Sequence, residues 1–209
     1  MNKLRLISLI SEKYRNKREK LFFDTFSLNQ HSKLKILDLG GHPGLSCLEN
    51  LHDCEVVYQN LYDSEKFINT LTKKHRYVCQ DAREIPFPDS YFDIVYSNSV
   101  IEHVGNYKEQ IKVAQEISRV GKKYWVQTPY KHFPIEPHYN FPFFQYLPKY
   151  MKILIYKLWP YSYRKALSRE YEDIFLLDAA QIKKIFPDST SFYFEKVGFF
   201  TKSIVAIKN

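Results

Sequence analysis

The chain alternates between short apolar runs, of the kind found in buried strands, and longer segments with apolar residues at helical spacing. The strand-like runs lie at residues 35–39, 55–60, 77–80, 92–97 and 123–128. Helical spacing is clearest in residues 4–26, 107–120 and 177–185. Residues 191–196 and 201–208 read as two further strands joined by a turn at Gly198. This alternation predicts an α/β domain with a mostly parallel sheet and helices on both faces.

The loop after the first predicted strand is the sharpest local feature. Residues 35–44 read Lys-Ile-Leu-Asp-Leu-Gly-Gly-His-Pro-Gly and lead into a helical pattern at residues 45–51. A glycine-rich turn between a buried strand and a helix lets a ligand approach the backbone at the end of the strand. The spacing D-x-G-x-x-x-G differs from that of dinucleotide sites, and Asp38 would repel a pyrophosphate. The loop therefore favours a cationic or hydroxyl-bearing ligand.

This loop resembles the first motif of the class I S-adenosylmethionine-dependent methyltransferases, usually D-x-G-x-G-x-G, although His42 replaces the middle glycine. Residues 77–97 also follow the family's order, with a strand, Asp81-Ala82, and then Ile-Pro-Phe-Pro-Asp-Ser-Tyr-Phe-Asp-Ile-Val. The resemblance covers residues 34–128 well and 175–207 loosely. It implies a Rossmann-like sheet of seven strands with the seventh inserted antiparallel, and S-adenosyl-L-methionine as the cofactor.

The resemblance also implies a set of cofactor-binding residues at the strand ends. Asn60 stands where the family has an acid that holds the ribose hydroxyls, and Asp63 lies one turn further on. Asp81 would accept a hydrogen bond from the adenine amino group, with the Ala82 N–H nearby. The predicted cofactor-binding residues are Asp38, Gly40, Gly41, Gly44, Asn60, Asp81, Ala82 and Ser97.

Candidate catalytic residues lie in two later segments. Transfer of a sulfonium methyl gains most from alignment, and a hydroxyl acceptor also gains from a base that removes its proton. Residues 97–104 contain a Glu-His-Val segment that resembles the family's sequence below the sulfonium centre, and imidazole is basic near neutral pH. The predicted catalytic residues are His103, His138 and Glu136, with Glu102 as a second orienting acid. His132, Glu136 and His138 match no standard metal-ligand spacing, so no metal is predicted.

Residues 129–170 form a predicted insertion after strand five, rich in aromatic residues and holding six of the ten prolines. A long loop over the ligand edge of a sheet is typical of a lid or a substrate wall, and these aromatic side chains also suit a small satellite core. The stretch Phe-Pro-Ile-Glu-Pro-His at residues 133–138 resembles a bacterial methyltransferase subgroup associated with surface-glycan biosynthesis. That resemblance implies O-methylation of a glycan or a glycan precursor.

Charge and length complete the organisation that the sequence predicts. The 209 residues suit a single domain with four parts: a helical appendage at 1–30, a cofactor-binding core at 34–128, a substrate lid at 129–170, and a C-terminal helix and hairpin at 175–209. The net charge of +8 comes from the appendage and the lid, because the core is acidic. Three cysteines without C-x-x-C spacing, and no signal-peptide or membrane-spanning run, predict a cytoplasmic protein.

Three alternatives stay open on the sequence alone. An RNA methyltransferase would use the two basic segments to contact phosphates. A non-catalytic protein that binds S-adenosylmethionine would accommodate the unusual His42 and Asn60. The basic face of the N-terminal helix either stays solvated while the helix docks on the sheet, or makes peripheral contact with a membrane. The oligomeric state is not predicted.

Overall fold

The computed structural model describes residues 3–29, 31–44, 46–62, 74–166 and 169–209, with the backbone alone for residues 3–11, 13, 163 and 166. Asp63, predicted near the ribose, lies outside the described residues. The helices are α1 (Lys3–Thr25), α2 (Tyr107–Val120), α3 (Lys149–Leu158), α4 (Tyr163–Ala166) and α5 (Ala179–Ile185), with 3-10 turns at Cys47–Asn50, Ile101–His103 and Phe144–Tyr146. Within these ranges, no helix is long and apolar enough to cross a membrane.

One seven-stranded sheet organises the chain. Its strands are β1 (Lys35–Leu39), β2 (Glu55–Asn60), β3 (His75–Cys79), β4 (Phe92–Asn98), β5 (Gly121–Pro129), β8 (Ser191–Val197) and β9 (Phe200–Lys208). They lie in the order β3-β2-β1-β4-β5-β9-β8. The first five strands are parallel, and β9 runs antiparallel to both β5 and β8. The predicted mostly parallel seven-stranded sheet is therefore confirmed, including the antiparallel strand and the terminal hairpin.

The sheet register brings the ends of three strands level. Leu39, the last residue of β1, pairs with Gln59 of β2 and with Ser97 of β4. The strand order reverses between β1 and β4, since β2 follows on one side and β4 lies on the other. Ligands of open α/β sheets bind at such a reversal, outside the carboxyl ends of the strands.

The core consists of two layers, one on each face of the sheet. Ile36 and Leu37 are adjacent and both fully buried, but they belong to different layers because successive strand residues point to opposite faces. The layer around Leu37 includes α2 and α5, and the layer around Ile36 includes Phe22 of α1. Strands covered on both faces explain why β1 reads as a continuous apolar run.

Helix α1 is docked on the sheet through its second half. The ring of Phe22 lies 4.7 Å from that of Tyr96 and 5.7 Å from that of Trp125. Arg18 donates two hydrogen bonds, of 2.9 and 3.1 Å, to the buried carboxylate of Glu195 on β8. One residue of the predicted basic face therefore anchors the helix to the sheet.

The prediction of a helix at residues 45–51 is wrong, because the structure has a short 3-10 turn there. The structure has only the 3-10 turn Cys47–Asn50, preceded by Ser46, whose hydroxyl oxygen accepts a hydrogen bond from the Leu48 N–H. A turn at residues 52–53 then leads into β2 at Glu55. The apolar spacing reflects burial of Leu48 and Leu51 against the sheet rather than an extended helix.

Candidate functional site

A cavity of about 320 Å³ lies at the carboxyl ends of β1, β2, β3 and β4. Gly40, Asn60, Asp81 and Ala82 line it, as do Arg83, His103, Arg169 and Glu172. Cofactor pockets usually begin near this size and sit at this point of an α/β sheet. Four of the eight predicted cofactor residues therefore meet in one cavity.

The other four predicted cofactor residues do not line this cavity. Asp38 is 3% exposed and lies behind the loop, where its Oδ2 accepts a hydrogen bond from the Ser46 hydroxyl. A Cβ on Gly41 would come within 2.1 Å of the Asp38 carboxyl carbon, so glycine is required at that position. Gly44 is exposed, with a φ of +85°, and Ser97 is buried within β4. Asp38, Gly41 and Gly44 therefore shape the loop, and Ser97 belongs to the buried sheet.

Burial gives Asp38 an unusual protonation equilibrium. Loss of solvent raises the pKa of its carboxyl to about 7, although the Ser46 hydrogen bond opposes that shift. Removing a carboxylate from water disfavours its charged form unless strong partners compensate. Asp38 is therefore a buried acid that titrates near neutral pH under the loop.

The two departures from the family pattern contact each other. The Asn60 side-chain nitrogen lies 3.0 Å from His42 Nε2 and donates hydrogen bonds to the carbonyls of Gly40 (3.1 Å) and Gly41 (3.4 Å). Its side-chain oxygen accepts the Leu61 N–H at 2.8 Å. A carboxylate could not donate to those carbonyls. The Asn60 amide, predicted to meet the ribose, thus braces the loop that carries His42.

The Asp81 carboxylate is held in place by a residue that the sequence reasoning missed. Arg83 donates from its backbone N–H (2.8 Å) and Nε (2.9 Å) to one oxygen and from Nη2 (2.6 Å) to the other. These bonds lower the pKa of Asp81, although burial opposes the shift. Arg83 also pairs with Glu109 at 2.8 Å. Asp81 is therefore ionised and oriented, with lone pairs left for a ligand donor.

The end of the cavity at β4 carries ionisable side chains, and β2 and β1 separate it from β3, which Asp81 follows. His103, in the 3-10 turn after β4, lies with Nδ1 3.3 Å from Glu172 Oε1. Arg164 Nη1 pairs with the other Glu172 oxygen at 2.7 Å. Burial raises the pKa of Glu172, but its hydrogen bond to His103 and its interactions with His103 and Arg164 outweigh burial, so the pKa is lowered. Sequence reasoning missed Glu172 and Arg164 because no local pattern connects them to His103.

A buried cluster lies directly behind His103. The ring of His138 is 4.8 Å from that of His103, and its Nδ1 lies 2.7 Å from Glu136 Oε1. Its Nε2 lies 3.9 Å from Oε1 of the fully buried Glu102, while Thr128 donates to the other Glu102 oxygen at 2.9 Å. Burial lowers the pKa of His138, but Glu136 and Glu102 outweigh burial and raise it. The three predicted catalytic residues are thus brought together with Glu102.

The insertion supplies this cluster through a short hairpin, β6 (Ile135–Glu136) and β7 (Phe141–Pro142). Tyr139 lies between these strands, donates its N–H to Glu136 Oε2 at 2.8 Å, and stacks on Phe144 at 4.1 Å. Part of the insertion is therefore a satellite core. His132 lies apart from the cluster, with Nδ1 2.6 Å from the Tyr146 hydroxyl. Glu102 and His103, rather than His132, lie beside Glu136 and His138.

Comparison with known proteins finds one matching domain and a shared fold. Residues 37–124 match the model of a family described as a methyltransferase domain. No curated protein matches the chain by sequence. The fold is similar to that of protein PH0226 from Pyrococcus horikoshii, with a TM-score of 0.59, 20% identity, and coverage of 93% of this chain and 89% of that one.

Two further solved structures have the same fold. A methyltransferase from Methanosarcina mazei that depends on S-adenosylmethionine has a TM-score of 0.55 and 15% identity, over 86% of this chain and 92% of its own. The [4+2]-cyclase SpnF has a TM-score of 0.56 and 14% identity over 85% of this chain, which spans 58% of the cyclase's length. The matched domain, the strand order and the cavity at the strand ends together support a methyltransferase of this fold with S-adenosylmethionine as its cofactor.

Proposed function

We propose that the chain transfers a methyl group to a hydroxyl of a glycan or glycan precursor. Bound S-adenosylmethionine supplies a sulfonium methyl that is already activated for displacement. The residues of the chain then have to align the acceptor, exclude water and accept the hydroxyl proton. The observation that carries the proposal is the ionisable cluster around His103, which opens into the cavity at the end away from Asp81.

One end of the cavity would bind the cofactor, and the other end would hold the acceptor. Asp81 and the Ala82 N–H would receive the adenine, with Gly40 allowing close approach of the cofactor to the backbone. His103 is the candidate base, because Glu172 engages its Nδ1 and Nε2 is then the acceptor atom. The Glu172 carboxylate would stabilise the charge that His103 acquires with the proton.

The proposal of a glycan acceptor depends on the segment at residues 133–138. Its resemblance to the glycan-associated subgroup gains support from the contact of His138 with His103, since this puts the segment beside the cavity. Tyr62 also lines the cavity and offers an aromatic face suited to the C–H surface of a sugar.

Contact of the insertion with an anionic membrane is a further part of the proposal. Tyr150, Leu154 and Leu158 follow one another at four-residue spacing along α3 and are 72%, 54% and 72% exposed. Residues 121–170 carry nine Lys or Arg against two acidic residues. An apolar stripe beside basic charge suits the interface of a bilayer with anionic lipids, where a lipid-linked acceptor would reside. This stripe is a better candidate than α1, whose Arg18 is engaged by Glu195.

The acceptor can be identified with a radiolabelled methyl donor and separated cell fractions. We expect label in polysaccharide, lipid-linked sugar or nucleotide-sugar pools, and at least about a hundredfold less with His103→Ala. A His132→Ala variant is the matched control, because its ring lies apart from the cluster. Label in RNA alone would establish the RNA methyltransferase alternative. Cofactor binding with no label in any fraction would instead indicate a non-catalytic binder.

A further inference from the structure

The carboxylate of Glu102 lies in an environment that its described neighbours do not satisfy. The side chain is fully buried, and no described residue donates a hydrogen bond to Oε1. The other oxygen accepts a single hydrogen bond, from Thr128. Burying an ionised carboxylate is costly unless a cation or several donors compensate. The free oxygen therefore marks a place where a positive group is expected.

Two imidazoles surround this oxygen. One ligand atom from each of Glu102, His103 and His138 can be chosen so that all three lie within 4.8 Å of one another. Tetrahedral bonds of about 2.0–2.2 Å to a cation place its ligand atoms about 3.3–3.6 Å apart. The 3.9 Å between His138 Nε2 and Glu102 Oε1 is close to this spacing. The whole group needs to close by at most about 1.5 Å.

Both histidines are held as metal ligands usually are. A ligating histidine commonly donates its second ring N–H to a carboxylate, which fixes its tautomer and orientation. Here Nδ1 of His138 lies 2.7 Å from Glu136, and Nδ1 of His103 lies 3.3 Å from Glu172. In His138 this leaves Nε2, which faces Glu102, as the ligand atom, and in His103 it leaves Nε2 without a carboxylate partner among the described residues.

The two carboxylates that hold the histidines are themselves fixed. The Tyr139 N–H donates to Glu136, and Arg164 pairs with Glu172. A simple network of ion pairs would account for each histidine with its own carboxylate. It would not account for a third, buried carboxylate that faces His138 with one oxygen lacking a donor. The Glu102 oxygen without a donor among the described residues therefore favours a set of metal ligands over a network of ion pairs.

We propose that Glu102, His103 and His138 bind a divalent transition-metal cation at the acceptor end of the cavity. Two imidazoles and one carboxylate suit zinc, iron, cobalt or manganese better than calcium or magnesium, which prefer oxygen ligands. Three protein ligands leave further coordination positions open. Since His103 lines the cavity, these positions can face an acceptor.

The role of this cation rests on the proposed function, whereas its binding rests on the geometry alone. A cation here would lower the pKa of an acceptor hydroxyl. The proton would leave to solvent as the methyl–oxygen bond forms, and the electron pair of the breaking methyl–sulfur bond would stay on sulfur. In this arrangement His103 acts as a ligand rather than as the base.

Metal binding can be measured without any acceptor. Protein stripped with a chelator is titrated with Co²⁺, followed by its visible absorption, and with Zn²⁺ by calorimetry. We expect one site per chain in the wild type, and loss of it in His138→Ala and Glu102→Gln. Glu136→Gln should weaken binding by about 10–100-fold, because it removes the carboxylate that orients His138. Circular dichroism checks that each variant is folded.

His132→Ala is the matched control, since it removes a histidine of the same insertion that lies outside the cluster. Absence of a site in folded wild-type protein would overturn the inference, as would equal loss of binding in His132→Ala. Methyl transfer to a glycan by protein that binds no cation would overturn it too, but would leave the proposed function intact. One bound cation with label in RNA alone would overturn the glycan proposal and leave the metal site standing.

Discussion

The two ends of the cavity differ in how far apart along the chain their residues lie. The end around Asp81 is made from loops that directly follow β1, β2 and β3, and its polar groups pair with residues close in sequence, such as Arg83. The end around His103 is assembled from segments far apart along the chain, including the turn after β4, the insertion and Glu172. The first arrangement suits a constant ligand held by local motifs. The second suits an acceptor that differs between proteins of one fold.

The largest expected effect is on methyl transfer, and it should leave cofactor binding at the other end nearly unchanged. His103→Ala should lower methyl transfer by about 10²–10⁴-fold, whether His103 acts as a base or as a ligand, because it removes a group beside the reacting hydroxyl. The affinity for S-adenosylhomocysteine should change less than about threefold, since Asp81 and Ala82 are untouched. Steady-state kinetics and calorimetry measure the two quantities. A parallel loss of both would mean that the two ends are not independent.

The second effect concerns the acid under the cofactor loop. The folded-state pKa of Asp38, about 7, lies above its ordinary value of 3.8. The folded protein therefore binds more protons than the unfolded chain between these values, and its stability should fall as pH rises from about 4 to 7. Three pKa units correspond to roughly 4 kcal/mol at most.

Asp38→Asn isolates this contribution. The variant keeps an oxygen for the Ser46 hydroxyl but cannot ionise, so the free energy of unfolding should decline less steeply from pH 4 to 7 than in the wild type. Urea denaturation at a series of pH values provides the comparison. Identical pH profiles for the two proteins would show that Asp38 is not a buried titrating acid.

The third effect tests the cofactor end. Asp81→Asn should weaken S-adenosylhomocysteine binding by about tenfold or more, because a hydrogen bond to a charged acceptor contributes about 1.5–3 kcal/mol. Glu136→Gln is the comparison at the other end and should bind the ligand normally. Gly40→Val is a poorer test, since its Cβ would come within 2.3 Å of Val100 and disturb the fold. Unchanged affinity in Asp81→Asn would remove Asp81 from the adenine site.

Much of the cofactor end was predictable because its determinants are contiguous. The strand at residues 35–39, its glycine loop and Asp81-Ala82 each form a short pattern, and the sheet brings the strand ends together. The acceptor end was predictable only as a set of candidates. Nothing local indicated that Thr128 would bind Glu102, or that Glu172 would bind His103.

Local patterns do not show which neighbour will engage a side chain. Asn60 lines the cavity, and its place beside the ribose stays a prediction, but its amide also donates to the loop carbonyls and contacts His42. The pattern at residues 45–51 suggested a helix, but the structure has a 3-10 turn there, with Leu48 and Leu51 buried against the sheet. The same apolar spacing therefore accompanies burial without a regular helix.

The fourth prediction concerns the contact between His42 and Asn60, the two departures from the family pattern. His42→Gly and Asn60→Asp each restore the common family residue and should each destabilise the loop. Their combined effect on the free energy of unfolding should differ from the sum by about 0.5–3 kcal/mol, as expected for residues in contact. Chemical denaturation of the four proteins gives this coupling. Additive effects would mean that the 3.0 Å contact contributes nothing.

The smallest effect on the folded protein concerns the stripe on α3. Leu154→Glu with Leu158→Glu should reduce sedimentation with anionic vesicles several-fold while stability changes by about 0.5 kcal/mol or less per site, because both side chains are exposed. Phe199→Glu, at a fully exposed apolar residue in the β8–β9 turn, is the matched control. Equal sedimentation of all three proteins would remove membrane contact from the proposal.

A crystal structure with S-adenosylhomocysteine tests the central contrast most directly. We expect the adenine to lie against Asp81 and Ala82, and the sulfur to point toward the end of the cavity lined by His103 and Glu172. The space beyond the sulfur should then be bordered by the insertion through His138. A ligand bound in the reverse direction, or outside this cavity, would contradict the division into a cofactor end and an acceptor end.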